Sequence, residues 1–332
     1  MTFLPIVGRE LRVASRRKAT YWTRVIAAGF WILITGCFLI IQSVSKGSFG
    51  SMMTGHWLFL ILSWLAFFYT SLCGLFLTSD TLSEEKREGT LGLLFLTDLR
   101  GFDIVLGKLA GTSLQAAYSL LAVFPIFAIP FLLGGVSGEL FGKMLLLLIN
   151  SLFLSLAIGI FVSSLSHDSQ KAINGTLFLL AAVLGLPLLI DWFRAGWDDT
   201  RFSPFLALAS PILSFSESMQ NRFGYFWNNM AVAHSIAWLL LIAASICAPR
   251  TWQQKESAKV KKILFARFRP GAATQLKHLR TRLLEINPAF WLSAREQSQS
   301  FYFKLILLLA SLVLGLIYCS GQKVTIEGLA GF

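Results

Sequence analysis

Residues 144–167 read MLLLLINSLFLSLAIGIFVSSLSH, 24 positions without one Asp, Glu, Lys or Arg. A helix rises about 1.5 Å per residue, so roughly 20 apolar residues cross the hydrocarbon core of a bilayer, and this stretch is long enough. Six further charge-free windows surround it, at residues 25–45, 47–79, 109–138, 172–190, 223–249 and 305–322. The seven together hold 172 of the 332 residues. Membrane spans are expected inside them at 25–44, 57–78, 111–134, 144–165, 172–190, 229–248 and 304–320. Residues 202–216 are also free of charge but too short to span, and Pro204 and Pro211 interrupt them; they read as a re-entrant or interfacial segment. Only 14% of the chain is charged and 55% is hydrophobic, against about 25% charged in soluble domains. This composition excludes a disordered chain, a soluble nucleic-acid-binding domain and a disulfide-stapled secreted module. The fold class it predicts is an all-α integral membrane protein.

The charges between the windows set an orientation, because cytoplasmic loops carry the excess of Lys and Arg. With the N-terminus inside, 23 of the 29 basic residues face the cytoplasm; only Lys46, Lys143, Arg194, Arg201, Arg222 and Lys323 lie outside. The acidic residues divide as 11 inside and 6 outside, so the whole net charge of +12 belongs to one face. A signal peptide is the rival reading of the first span, since Ile34, Thr35, Gly36 and Cys37 loosely match a lipoprotein cleavage box. It fails on context: the basic region in front is 24 residues long, and apolar sequence continues through the supposed cut. Cys37, Cys73, Cys247 and Cys319 stand singly in apolar spans, with neither metal-ligand spacing nor a disulfide framework.

Residues 1–22 place Leu4, Val7, Leu11 and Ala14 on one helical face and Arg9, Arg12, Arg16 and Arg17 on another, followed by Tyr21 and Trp22. That pattern describes an amphipathic helix lying in the headgroup plane. A plain anchor and an elbow that moves with the bundle both fit it.

The loop at 79–108 is the most informative connection. From residue 83 to 109 it reads SEEKREGTLGLLFLTDLRGFDIVLGKL. Thr81 or Ser83 is expected to cap a short helix whose first turn carries Glu84 and Glu85, favourable at the positive end of the helix dipole. Gly89 is expected to end it. Leu91, Leu93, Leu94, Phe95 and Leu96 then crowd a segment too short to span, and Asp103 starts the helix of the third span. A charged helix followed by an apolar knob is a docking surface for a cytosolic protein, although the knob could instead dip into the membrane interface.

This loop, with its EEKREGTL run, the LLFLTDL that follows and Val105-Leu106-Gly107-Lys108 before a helix, resembles the first cytoplasmic loop of permease subunits of type-2 ATP-binding-cassette (ABC) exporters. Asp98 stands where that family usually has proline. The likeness covers about residues 1–250: amphipathic N-terminal helix, six spans and an external segment between spans five and six. It implies a six-span permease domain over 23–248 whose loop seats a coupling helix in a groove of a separate ABC ATPase. Glu84, Glu85, Lys86, Arg87 and Glu88 would make polar contacts there, and Leu93, Leu94 and Phe95 would pack. ATP and Mg would be bound by that partner, because this chain has no G-x-x-x-x-G-K-[ST] phosphate loop. Such permeases pair as homodimers or heterodimers in a bacterial inner membrane. The resemblance also turns the aromatic segment 191–228, with Trp192, Trp197, Tyr225, Phe226 and Trp227, into paired external re-entrant helices; by composition alone it is an interfacial aromatic belt.

Residues 249–303 form a basic linker in which Leu276, Leu279, Leu283 and Ile286 repeat at helical spacing. Lipid attraction of about 1 kcal/mol per Lys or Arg near the surface, or the ATPase, explains it better than nucleic acid does, given its place between two spans. Residues 304–332 supply the seventh span and a tail. Arg295-Glu296, Phe301, Tyr302 and Lys304 echo Arg9-Glu10, Tyr21, Trp22 and Arg24 before the first span, a weak internal repeat and a possible start of a second half.

Inside the spans His234 is the sole titratable candidate, read first as a helix-contact histidine and second as part of a pathway with Asn174 and Thr176. No carboxylate pair, Cys/His cluster or Ser/His/Asp set gathers, so catalytic and metal-ligating residues are not expected, and neither is a cofactor bound by this chain. A pathway without fixed charge favours an apolar or amphipathic substrate. A non-transporting membrane anchor or assembly factor is the second reading of the whole chain; an enzyme acting on lipids is the third, disfavoured by the missing catalytic set.

Overall fold

A computed structural model describes residues 18–44, 51–96, 99–197, 205–219 and 224–251, together with Val7, Gly8 and Arg12. The linker 249–303 beyond Thr251, the seventh span and most of the N-terminal amphipathic segment lie outside the described residues. Among those residues every regular element is helical. The helices are α1 (Lys18–Val44), α2 (Ser51–Leu77), the short α3 (Thr81–Glu88) and α4 (Thr90–Leu96), α5 (Gly101–Leu132), α6 (Gly138–Leu165), α7 (Ser169–Trp197), α8 (Pro211–Met219) and α9 (Phe226–Thr251), with a 3₁₀ turn at Ala207–Ala209 before α8. Five of them, α2, α5, α6, α7 and α9, are long and apolar enough to cross a membrane by length and composition, and α1 adds the apolar stretch Ala28–Val44.

Each long helix covers most of the charge-free window that announced it; α1, α5, α6 and α7 begin before their windows, by about two turns or less, and α7 and α9 run past the end of theirs. The overruns have local causes. Ser137 caps α6 by accepting the Leu140 amide, and Glu139 sits in the first turn, where the dipole favours an anion. Asp103 does not begin α5 but occupies its third position; its carboxylate accepts the Arg100 amide at 3.0 Å. α7 continues beyond residue 190, where Asp191 and Arg194 pair one turn apart at 3.5 Å, so part of the predicted external segment is helix.

α6 lies at the centre, packed on α2 at one side and α9 at the other. Ser151, Ser155, Gly159 and Ser163 recur every fourth residue and therefore share one face of α6. That face meets α2 so closely that the backbones touch. Gly74 N–H donates to Ser155 Oγ at 2.9 Å, Thr78 Oγ1 to the Leu156 carbonyl at 3.1 Å, and the Leu82 and Ser83 amides to Ser163 Oγ at 2.9 and 3.0 Å. Residue numbers rise together on both sides, so α2 and α6 run parallel. A Cβ on Gly159 would fall 2.0 Å from Thr78 Oγ1. Small residues at this spacing let helices approach without large side chains between them.

α9 also runs parallel to α6, from the His234–Asn150 contact at 3.1 Å to the Thr251 hydroxyl on the Ser164 carbonyl at 2.7 Å. α5 starts where α9 ends: a Cβ on Gly101 would meet the Ser245 carbonyl oxygen at 2.4 Å. The bundle thus has an end that carries α3 and α4 and an opposite end that carries α8.

Candidate functional site

The α3–α4 elbow is built from residue types that turn the chain twice within 20 positions. Asp80 precedes α3 at its N-cap position but gives no side-chain bond to a helix amide. Its carboxylate instead takes both guanidinium nitrogens of Arg87, at 3.0 and 2.9 Å, together with the hydroxyls of Ser83 and of Ser169 on α7, the latter at 2.8 Å. The expected caps therefore work elsewhere: Thr81 Oγ1 donates to the Thr78 carbonyl and Ser83 Oγ to Asp80. Asp80 holds the N-cap position without a capping side-chain bond because its carboxylate is taken by the bidentate Arg87. Gly89 ends α3 as the sequence predicts, in the left-handed region at φ +74°, a conformation open to glycine at no steric cost.

Two successive side chains turn inward. Glu85 pairs with Lys108 of α5 at 2.6 Å, both nearly out of solvent. Lys86 Nζ donates to the Ser164 and Ser166 carbonyls at the end of α6 and to Thr251 Oγ1 of α9 at 2.9 Å. A cation at that position meets the negative end of the α6 dipole and its orphan carbonyls. Asp80, Glu85 and Lys86 thereby tie the elbow to α5, α6, α7 and α9.

The opposite side of the elbow is open. Glu84, Arg87 and Glu88 are exposed, and Leu93 and Leu96 leave 63% and 83% of their surface free. Leu91 is fully buried; Leu94 and Phe95 are half-buried against the core. Of the eight residues expected to contact a partner, Glu84, Arg87, Glu88 and Leu93 share the open side, Leu94 and Phe95 straddle its edge, and Glu85 and Lys86 point into the bundle. Leu96, named in the apolar knob but not among those eight, lies one turn after Leu93 and so on the same face.

His167 lies beside this elbow in the turn between α6 and α7. Partial burial lowers the pKa of its imidazole, the neighbouring Lys86 ammonium lowers it further, and a backbone hydrogen bond with Thr251 opposes both.

The three intramembrane candidates do not form one group. His234 contacts Asn150 Oδ1 at 3.1 Å through Nδ1 and receives the indole N–H of Trp238 on Nε2 at 3.0 Å. An indole N–H only donates, so Nε2 accepts and Nδ1 donates to Asn150 Oδ1. Thr176 donates to the Ala172 carbonyl on its own helix, and Asn174 Oδ1 is buried without a hydrogen bond. No hydrogen bond links His234 to either.

The opposite end holds two residues that the sequence reading missed. Asp191, buried in α7, accepts the amides of Phe205 and Ala207 at 2.8 and 2.7 Å. Asn229, buried in the first turn of α9, donates to the Leu208 and Ser210 carbonyls at 2.8 Å each and accepts from Ser214. These two side chains hold the 3₁₀ turn and α8 in place. Of the aromatic rings expected at an interface here, Trp192, Tyr225 and Trp227 are exposed. Phe226 is not: it is fully buried, with Lys143 Nζ of α6 5.9 Å from its ring centre. Glu217 accepts the Tyr225 amide at 3.1 Å; burial raises its pKa and that hydrogen bond opposes the rise.

Among the described residues no three His, Cys, Asp or Glu side chains are grouped so as to hold a metal ion. No protein-family model matches the chain, and no curated protein matches it significantly.

Proposed function

We propose that this chain is the membrane-spanning permease subunit of an ATP-driven ABC exporter. It spans the bacterial inner membrane several times with its N-terminus in the cytoplasm, and it works as a homodimer or heterodimer with separate ATPase subunits that bind ATP and Mg. One observation carries the reading. The α3–α4 elbow combines an exposed mixed-charge and leucine face, at Glu84, Arg87, Glu88, Leu93 and Leu96, with ties from Asp80 and from the buried Glu85 and Lys86 to four long helices. A coupling element needs both properties: a surface for the partner and a stiff link to what must move.

Mechanistically, closure of the ATPases on nucleotide pushes on the exposed face. Its ties then carry the displacement into α5, α6, α7 and α9 together, which shifts the bundle between inward and outward access. The excess of basic residues on the elbow side of the chain supports a cytoplasmic elbow.

The test is substrate-stimulated ATP hydrolysis by the reconstituted complex. Leu93→Glu combined with Glu84→Arg should lower the stimulation about tenfold, within the usual range of coupling energies, while membrane insertion stays intact. Unchanged stimulation overturns the coupling assignment. If the wild-type chain retains no ATPase at all, the non-transporting anchor replaces the exporter.

A further inference from the structure

We propose that a single ordered water molecule is bound where α2, α6, α7 and α8 meet, bridging the hydroxyls of Ser71 and Ser151. The two serines line one recess with Ser155, Leu154, Val183 and Leu184, and its volume, about 10 Å³, approaches the roughly 10–15 Å³ that one water requires. Ser71 and Ser151 are 5% and 4% exposed, and neither hydroxyl has a hydrogen-bond partner. Ser155, between them, is already satisfied: it donates to the Ser71 carbonyl and accepts the Gly74 amide.

Two unpartnered buried hydroxyls facing one water-sized space are a site of stated chemistry. Each is costly alone, and a bridging water satisfies both. A third polar group is within reach. Pro187 interrupts α7 and, lacking an N–H, leaves the Val183 carbonyl without its helical donor; Val183 lines the recess. A metal cation fits poorly, because no carboxylate lines the space and an unpaired buried charge is strongly disfavoured. The consequence is an asymmetry in the bundle. α2 meets α6 through direct hydrogen bonds, whereas α7 packs on that pair through apolar side chains and, at this recess, through water, whose hydrogen bonds re-form as the helix shifts.

Two measurements on the full chain in lipid nanodiscs test this. Radiolytic footprinting in isotopically labelled water should oxidise Leu154 despite its burial, and Ser151→Val, which fills the space, should abolish that oxidation. Absence of oxidation in the wild type, or oxidation that survives the valine, overturns the site. Ser71→Ala and Ser151→Ala should each lower the thermal midpoint, and the double variant should lose less than the two losses combined, because one water serves both hydroxyls. Additive losses, or a rise in either single variant, overturn it equally and remain readable if the valine variant does not fold.

Discussion

The backbone amide of Gly74 and the hydroxyl of Ser155 meet at 2.9 Å, and a Cβ added to Gly74 would lie 1.9 Å from the Ser155 carbonyl oxygen. Backbone atoms cannot yield as a flexible side chain can, so Gly74→Ala must part α2 from α6 and stretch the Thr78–Leu156 and Ser163–Leu82 bonds along the same seam. Overpacking costs about 1–3 kcal/mol, and the upper end is expected here. Gly142, on the same helix α6, has nothing within 4 Å of the point where a Cβ would stand; Gly142→Ala should gain about 0.5–1 kcal/mol from helix propensity. Unfolding of the two variants in detergent should therefore move in opposite directions, and equal shifts would refute the seam.

Glu85 and Lys108 form an ion pair with side chains 9% and 13% exposed. Removing one partner strands the other charge away from water, at a cost of about 3–5 kcal/mol, whereas replacing both with apolar groups is often close to neutral. Glu85→Gln and Lys108→Met should each be strongly destabilising, and Glu85→Leu with Lys108→Met should recover most of the loss. Recovery in stability without recovery of ATPase stimulation would separate the structural role of the pair from its proposed role in transmitting motion. Two independent losses that add would show that the pair is not coupled.

The long apolar helices were legible because hydrocarbon cannot tolerate charge, so charge-free windows of sufficient length mark them, apart from the seventh, which lies outside the described residues. The end of α3 at Gly89 was legible for an equally local reason. What could not be read is which way a charge faces. Glu85 and Lys86 sit in a run of five charged residues that looks uniformly wet, yet helical rotation carries these two inward, where Lys108 and the end of α6 wait 23 and 78 positions away. The four-residue spacing of Ser151, Ser155, Gly159 and Ser163 was present in the sequence as a signal for close helix contact, but small residues carry no mark of their partner. Asp191 and Asn229 were hidden in the same way, since both act on carbonyls and amides of a segment more than ten residues distant.

Asn229 satisfies three groups of the 3₁₀ turn and α8 at once. Asn229→Ala leaves the Leu208 and Ser210 carbonyls and the Ser214 hydroxyl without that partner, and each buried unsatisfied group costs about 1–3 kcal/mol. The loss should concentrate on residues 205–219, because the rest of α9 packs through apolar side chains. Hydrogen exchange should speed up across that segment while α6 keeps its protection. A uniform increase over the whole bundle would mean that Asn229 supports the global fold rather than this one turn.

His167 gives the elbow end a pH dependence whose sign follows from its surroundings. Burial, and then the Lys86 ammonium, hold the imidazole pKa below its ordinary 6.5, so the folded chain binds the proton less readily than the unfolded one. Stability from this group is complete above pH 6.5 and falls as the pH drops through the lower, folded value. His167→Gln should flatten the acid limb of the unfolding midpoint between neutral pH and the onset of carboxylate titration. Lys86→Met should flatten it in part, by removing the repulsion while leaving the burial. An acid limb equally steep in the wild type and in His167→Gln would show that other groups set it, and a steeper limb in Lys86→Met would reverse the assigned direction of the charge effect.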